Sequence, residues 1–279
     1  MSRVFDALCR SREEQGLRSP VDAETFAEAA ALQPPSNEFE WQETNTFFPP
    51  QDAERLVALP GQNGLGAEKF RLLRARLRHL QERSHIKRVV ITSAVPEEGK
   101  TLVASNLAIS LARNTSQRVL LIDGDLHKPA VARRLGLQDA PGISEWFSEE
   151  APVNRFLYNL QGTQLWVLCA GVTREQPLTV LQSPRFLELF HTLSALFDWV
   201  LIDVPPMSPL ADVNFWARQA DGLLLVVRQG RTPRSHLQKG LEALDNPCVL
   251  GFVLNGARVI ESDYYNHYYS SARQSRSSD

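Results

Sequence analysis

The stretch "KRVVITSAVPEEGKTLVASNLAISLA", residues 87–112, decides the fold of this chain. Its apolar start is typical of a buried strand, and its apolar-rich end is typical of a helix. Between the two, residues 94–101 read A-x-x-x-x-G-K-T, which has an alanine where the usual P-loop pattern has its first glycine. A strand, a turn and a helix in this order predict a phosphate-binding loop.

The chemistry of such a loop follows from its position before a helix. Backbone N–H groups at a helix start, together with the positive end of the helix dipole, attract an anion. A lysine there reaches the β- and γ-phosphates, and a threonine hydroxyl binds Mg²⁺. We therefore predict a nucleotide site formed by Pro96, Glu97, Glu98, Gly99, Lys100, Thr101 and Leu102. The alternative is an ordinary strand–turn–helix junction with an exposed lysine.

Six short apolar runs recur along the chain, with helical patterns between most of them. The runs are 88–94, 118–125, 164–171, 198–206, 222–230 and 248–257, and the helical candidates include 101–113, 183–196 and 234–244. Nearly continuous Val, Ile and Leu suits strands that are buried on both faces. The alternation predicts an α/β fold, a doubly wound and mostly parallel sheet with helices on both faces. Asn255, near the end of the last run, is either an adenine contact or a turn asparagine.

Carboxylates lie toward the ends of two of these runs, Asp123 and Asp125 in one and Asp203 in the other. Because ligands of such sheets bind at the carboxyl ends of the strands, we expect these side chains to share one crevice. Mg²⁺ prefers carboxylate, hydroxyl, water and phosphate oxygens. The predicted metal ligands are Thr101, Asp125 and Asp203, and the predicted catalytic residues are Lys100, Asp123 and Asp125. Which of Asp123 and Asp125 accepts a proton from an incoming hydroxyl stays open.

The chain divides into three segments by pattern. Residues 1–65 are rich in proline and poor in periodicity, which predicts a mobile arm. Residues 66–258 carry the regular pattern, and residues 259–279 form a tail that holds four of the five tyrosines.

The composition excludes several classes of protein. A net charge of −2 is not that of a general nucleic-acid binder. Three widely spaced cysteines give neither a disulfide framework nor a zinc site. The chain start has no secretory pattern, and the apolar runs are far shorter than the roughly 20 residues of a membrane helix.

The segments "ITSAVPEEGKT", "LLIDGDLHKP" and "VLIDVPP" resemble the Walker A, A′ and B motifs of bacterial tyrosine kinases. These P-loop autokinases help to control capsule and exopolysaccharide synthesis. The resemblance runs from about residue 68 to the chain end. It implies ATP and Mg²⁺ as cofactors and phosphoryl transfer to tyrosine as the reaction.

Two features outside these motifs, a helix motif and the tail tyrosines, also resemble the family. The spacing E-x-x-R-x-x-R, at Glu68, Arg71 and Arg74, resembles the family's ring-forming motif, although alone it indicates only an i,i+3 ion pair. The tail tyrosines resemble the family's phosphoacceptor cluster, which enters a neighbouring active site. The implied acceptors are Tyr264, Tyr265, Tyr268 and Tyr269. The alternative is an aromatic tail packed on the body.

The resemblance also implies partners and a location. We expect a homo-oligomeric ring, no nucleic acid, and a membrane-embedded polysaccharide co-polymerase or activator to which the arm 1–65 docks. The chain resembles the separate cytosolic kinases of the family, so we expect it in the cytoplasm, recruited to the inner face of the plasma membrane.

Two residues depart from the family pattern. Glu97 stands where many members have a second loop glycine, and His127 stands where many have arginine. These departures keep two alternatives open. One is a nucleotide-switched ATPase scaffold without kinase activity, against which the absence of a lysine between Ser93 and Lys100 argues. The other is a regulator that binds nucleotide poorly.

Overall fold

An eight-stranded β-sheet with helices packed on it forms the described part of the chain. The computed structural model describes residues 44–49, 55–59, 61–62, 64–113, 116–149, 151–172, 175–207, 211–245 and 247–257. The predicted arm up to residue 43 and the tail from residue 258, with its four tyrosines, lie outside the described residues.

The strands follow the order β1-β4-β5-β3-β6-β2-β7-β8 across the sheet, and only β4 and β5 pair antiparallel. Their bounds are β1 Asn45–Phe47, β2 Arg88–Ser93, β3 Val119–Asp123, β4 Leu157–Leu160, β5 Leu165–Leu168, β6 Trp199–Asp203, β7 Gly222–Arg228 and β8 Val249–Asn255.

The helices connect these strands. Their bounds are α1 Leu65–Ser84, α2 Lys100–Ala112, α3 Val131–Leu135, α4 Ile143–Ser148, α5 Pro177–Leu181, α6 Pro184–Leu196, α7 Asp212–Gln219 and α8 Arg234–Glu242, with a 3₁₀ turn at Val153–Phe156. Helix α2 is buried along nearly its whole length, so it lies inside the molecule rather than on its surface. That burial explains why its sequence is apolar on every side.

The predicted fold class is confirmed, because the sheet is mostly parallel and each of the six predicted apolar runs contains a strand. The central strands β2, β3 and β6 are buried on both faces, which is why they read as continuous Val, Ile and Leu. Strands β1 and β4 were not predicted. They have three and four residues, too few to show a period.

The prediction of a mobile arm over residues 1–65 is wrong for its described part. Strand β1 pairs with β4 at one side of the sheet. Leu56, Ala58 and Leu59 are buried in the core. The Ala58 N–H donates to the Asn106 side chain of α2 at 3.1 Å. Apolar residues between the prolines therefore give this segment enough burial to hold it against the domain.

The sheet register places the predicted carboxylates together. Asp203 pairs with Ile91 on one side and with Asp123 on the other, at the carboxyl ends of β2, β3 and β6. Helix α2 begins beside them. None of the described helices is both long and apolar enough to cross a lipid bilayer.

Candidate functional site

The P-loop between β2 and α2 makes a sharp turn at Gly99. This residue has φ 92°, a left-handed conformation that glycine adopts without strain. A Cβ at this position would also lie 2.2 Å from Nδ2 of Asn255, so the loop approaches β8 too closely for a side chain. The Val103 N–H donates to the Gly99 carbonyl at 3.0 Å and starts helix α2.

Glu97, which departs from the glycine-rich pattern, also has a positive φ, 64°. Glycine would adopt this left-handed conformation without the strain that a Cβ brings. The residue is exposed, and its carbonyl accepts a hydrogen bond of 3.1 Å from Nη1 of Arg228. Because Glu97 faces solvent, the departure is compatible with a nearby phosphate. Pro96 beside it is also exposed.

Glu98 braces the loop from inside. Its side chain is buried, and its carboxylate accepts hydrogen bonds from the Val95 N–H at 3.1 Å and from the Thr232 hydroxyl. Its carbonyl accepts from Nδ2 of Asn255 at 2.8 Å. The carboxylate is therefore used within the protein, so the predicted role of Glu98 in the nucleotide site falls to its backbone N–H. The contact seen for Asn255 is with this loop, and its adenine contact stays a prediction.

Lys100 lies among the predicted carboxylates. Its Nζ is 2.9 Å from Asp125 and 3.7 Å from Asp203. Burial alone would lower the pKa of Lys100, but the two carboxylates outweigh burial and raise it. The lysine therefore stays charged at the mouth of the loop. Leu102, the last predicted loop residue, is half-buried in the first turn of α2.

The Asp203 carboxylate is fully buried at the end of β6. One oxygen accepts a hydrogen bond of 2.6 Å from the Thr101 hydroxyl, whereas Oδ1 has no hydrogen bond among the described residues and lies 3.7 Å from the Lys100 ammonium. Burial raises the pKa of Asp203 to about 6, and Lys100 and Thr101 oppose that rise. Because Oδ1 is buried and, within the described residues, has only this long ion pair, it can also accept a metal-bound water or a metal ion.

The predicted metal ligands can supply only part of the coordination shell of Mg²⁺. The described residues hold no group of three or more His, Cys, Asp or Glu side chains that could enclose a metal. Mg²⁺ in phosphoryl-transfer sites instead takes one or two carboxylates together with water and phosphate oxygens. Thr101, Asp125 and Asp203 supply that kind of partial shell beside the loop.

Asp123 ends β3 and is completely buried. Its carboxylate accepts hydrogen bonds from the N–H groups of Ala130 and Val131, both at 3.0 Å, and from that of Asp125 at 3.4 Å. Burial, followed by the neighbouring Asp203 carboxylate, raises the pKa of Asp123 to about 7. Asp123 therefore organises the turn that leads into α3, and it also holds a proton more readily than an ordinary carboxylate.

The residue between the two aspartates has little room. A Cβ on Gly124 would lie 2.9 Å from the Trp216 ring and 3.0 Å from Ile202. The indole N–H of Trp216 donates to the Gly124 carbonyl at 3.3 Å. Helix α7 thus supports the Asp123–Asp125 turn from behind.

His127 has a partner that the sequence did not indicate. Its Nε2 lies 2.8 Å from the carboxylate of Asp212, a buried residue at the start of α7. Burial raises the pKa of Asp212, and His127 opposes that rise. Position 127 therefore carries a histidine that contacts the start of α7 through Asp212. No sequence signal joins these two positions, which are 85 residues apart.

The predicted oligomerisation residues lie on α1, apart from this site. Arg71 pairs with Glu68 at 2.7 Å, which is the i,i+3 ion pair that the spacing indicates. Nη1 of Arg74 donates to the carbonyls of Ser110 at 2.9 Å and Arg113 at 3.5 Å, at the far end of α2. The four predicted phosphoacceptor tyrosines lie outside the described residues.

The fold and the site define a P-loop nucleotide-binding protein whose sheet carries Walker-type carboxylates. Comparisons with known proteins narrow this class to one family. The chain is 31% identical over 216 residues to the tyrosine-protein kinase YwqD of Bacillus subtilis, an alignment that spans 76% of this chain and 90% of that protein. It is 34% identical to the succinoglycan biosynthesis transport protein ExoP of Rhizobium meliloti over 72% of this chain, but this is only 26% of ExoP.

The solved structures agree. The crystal structure of the chimerical protein CapA2B2 superimposes with a TM-score of 0.67 at 26% identity, over 72% of this chain and 88% of that one. A scan against models of protein families gives no match. The chain belongs to the bacterial tyrosine-protein kinases, as the resemblance of its motifs predicted, and it is a protein-tyrosine kinase.

Proposed function

We propose that this kinase transfers the γ-phosphoryl group of ATP, with Mg²⁺, to the tyrosines of its own C-terminal cluster in a neighbouring copy. This transfer regulates the synthesis and export of an exopolysaccharide or capsule. The observation that carries the proposal is Lys100, held 2.9 Å from Asp125 at the start of α2 in a P-loop. The family assignment favours this function over a scaffold without kinase activity.

In this proposal the P-loop binds the ATP phosphates and neutralises their charge. The N–H groups at the start of α2 and the ammonium of Lys100 bind the phosphates and stabilise the charge that develops on the transferred group. Thr101, Asp125 and Asp203 hold Mg²⁺, whose charge shields the phosphate oxygens from the carboxylates. The new P–O bond forms at the tyrosine oxygen as the bond between the γ-phosphorus and the β-bridging oxygen breaks, and ADP leaves.

The tyrosine proton passes to a carboxylate. We assign this role to Asp123, because its pKa of about 7 makes it a better proton acceptor at neutral pH than an ordinary aspartate. Asp125, bonded to Lys100, then positions the lysine and the metal. Asp123 is fully buried, which favours the opposite assignment, with Asp125 as the proton acceptor and Asp123 as the positioning residue. The two residues are therefore tested side by side.

The names of the relatives support a membrane partner for this chain. ExoP is named as a succinoglycan biosynthesis transport protein, and this chain matches only 26% of its length. We propose that a membrane-embedded polysaccharide co-polymerase or activator recruits this chain to the cytoplasmic face of the membrane, with residues 1–43 as the docking segment. A ring of copies, formed through Glu68, Arg71 and Arg74, brings each tail to a neighbouring site.

The first test maps phosphate on the purified chain. The chain is incubated with ATP and Mg²⁺, with and without the cytosolic segment of the activator, and analysed by mass spectrometry. Phosphate on Tyr264, Tyr265, Tyr268 and Tyr269 that is lost in Lys100→Met is the expected result. An unmodified tail in the presence of activator, despite nucleotide binding, overturns the proposal.

A second test separates transfer within a chain from transfer between chains. A Lys100→Met chain with an intact tail is mixed with an active chain whose four tail tyrosines are replaced by phenylalanine. Phosphate on the Lys100→Met chain demonstrates transfer between copies. Asp123→Asn and Asp125→Asn are compared in the same assay, and only the variant that lacks the proton acceptor keeps nucleotide affinity while losing transfer.

A further inference from the structure

Three arginine side chains converge on one small cavity away from the P-loop. The cavity has a volume of about 210 Å³ and is lined by Ala58, Ala67, Arg71, Arg74, Ser110 and Arg113. It lies between α1 and the last turn of α2. Because α2 has 13 residues and starts at the P-loop, the cavity is roughly 18 Å from the phosphate-binding end of that helix.

The described lining of this cavity is positively charged. The described residues that line it include no carboxylate, and Glu68, on the same helix as Arg71, pairs with that arginine. Burial, then the neighbouring charges of Arg78, Arg71 and Arg113, lower the pKa of Arg74. Like charges held this close repel one another unless an anion lies between them.

Arg74 and Arg113 have guanidinium donors left for a ligand. For Arg113 the bond recorded within the described residues is a long one, 3.5 Å to the Ala58 carbonyl. Arg74 uses Nη1 to bond the end of α2, and a guanidinium carries five N–H donors in all. The hydrogen bond to the end of α2 explains why Arg74 lies at the cavity. It does not explain why Arg113 also lines the cavity.

The shape of the cavity limits the ligand. Binding pockets for drug-sized molecules usually span about 300–1,000 Å³, so 210 Å³ suits a small anion rather than a nucleotide. Arginine forks match the oxygens of phosphate in a two-point geometry. We propose that this cavity is a second anion site, which binds a phosphate group, either inorganic phosphate or a small phosphate monoester.

The test must exclude the P-loop, which also binds phosphate. The chain is therefore saturated with ADP and Mg²⁺ and kept at a concentration where sedimentation shows a monomer. Inorganic phosphate, and in a second arm phenyl phosphate, is titrated by calorimetry against chloride of equal ionic strength. We expect saturable binding of one anion per chain, and the stronger of the two arms identifies the source.

Substitutions locate the binding site. Arg113→Gln is expected to weaken the phosphate affinity at least ~10-fold, because two charge-assisted hydrogen bonds are lost. Arg76→Gln, which makes the same charge change at an exposed position of α1, is the matched control and is expected to leave affinity within about twofold. ADP affinity is measured for both variants to show that the fold is intact.

Three outcomes overturn the proposal. The ADP-saturated monomer binds no phosphate, Arg113→Gln binds it as the unsubstituted chain does, or Arg76→Gln weakens it equally. If phosphate does not bind and Arg113→Gln instead weakens self-association, a carboxylate of a second copy occupies the cavity. Loss of tail phosphorylation is not a readout here, so failure of this site and failure of the proposed function are separate results.

Discussion

The buried carboxylate of Glu98 accepts a hydrogen bond from the backbone N–H of Val95, 3.1 Å away in the same loop. The Thr232 hydroxyl donates to the other oxygen. One acidic side chain thus ties the start of the P-loop to its end and to the segment between β7 and α8. These hydrogen bonds therefore hold the predicted phosphate-binding N–H groups in position before any ligand arrives.

Glu98→Ala is therefore expected to weaken nucleotide binding. The substitution leaves the Val95 N–H and the Thr232 hydroxyl without their partner and loosens the loop. A loss of 1–3 kcal/mol is usual for such a change, so the affinity for ADP with Mg²⁺ should fall about tenfold. Calorimetric titration measures it.

Glu97→Ala is the matched control, because it removes the same charge from the exposed neighbouring residue. We expect its nucleotide affinity to be unchanged or slightly higher, since an anion near the phosphates is removed. Equal losses in the two variants would contradict the bracing role of Glu98.

The backbone at Glu97 gives a prediction about stability. Its φ of 64° is unfavourable for a residue with a Cβ by roughly 1–2 kcal/mol, whereas glycine adopts it without strain. Glu97→Gly is expected to be more stable than Glu97→Ala by about 1 kcal/mol, after the greater entropy of unfolded glycine is subtracted. Urea unfolding of the two variants measures the difference. A less stable glycine variant would show that the loop tolerates the side chain without strain.

Much of this architecture could be predicted from the sequence, for physical reasons. The strands beside the site are buried on both faces, so their apolar runs are continuous, and parallel pairing brings their carboxyl ends together. This is why Lys100, Thr101 and Asp203 were predicted as neighbours, and the structure places them within hydrogen-bond or ion-pair distance.

The remaining features depend on contacts that no local pattern encodes. Glu98 reads as one more loop residue, and its bond to Thr232 spans 134 positions. The pairing of His127 with Asp212 likewise arises only when α7 packs behind the Asp123–Asp125 turn. Strand β1 is three residues long, so its pairing is decided by the partner strand and not by its own sequence.

Gly124 has a packing role that can be tested. A methyl group there would lie 2.9 Å from the Trp216 ring, so the turn between Asp123 and Asp125 must shift. Gly124→Ala is expected to destabilise the chain by about 1–3 kcal/mol and to lower kinase activity. Gly251→Ala, in β8, is the control because no atom lies within 4 Å of its new Cβ. Equal urea midpoints for the two variants would contradict the prediction.

The last prediction concerns pH and Asp221, which joins β7 to the start of β2. Its carboxylate accepts from the N–H groups of Lys87 at 2.8 Å and Arg88 at 2.7 Å, and it pairs with the Arg88 guanidinium at 2.6 Å. Burial alone would raise the pKa of Asp221, but these hydrogen bonds outweigh burial and lower it. The folded chain therefore favours the ionised form more strongly than the unfolded chain does.

A lowered pKa fixes the sign of the pH effect. The stabilisation from Asp221 is complete above the unfolded aspartate pKa of about 3.9 and is lost as the pH falls through the lower folded pKa. Asp221→Asn is expected to reduce the free energy of unfolding by about 1–3 kcal/mol at pH 7, with a deficit that shrinks below about pH 4. Asp245→Asn, which breaks an exposed ion pair with Arg218, should lose less than about 1 kcal/mol. Urea unfolding at pH 7, 5, 4 and 3.5 measures both, and a deficit that grows on acidification would refute the assignment.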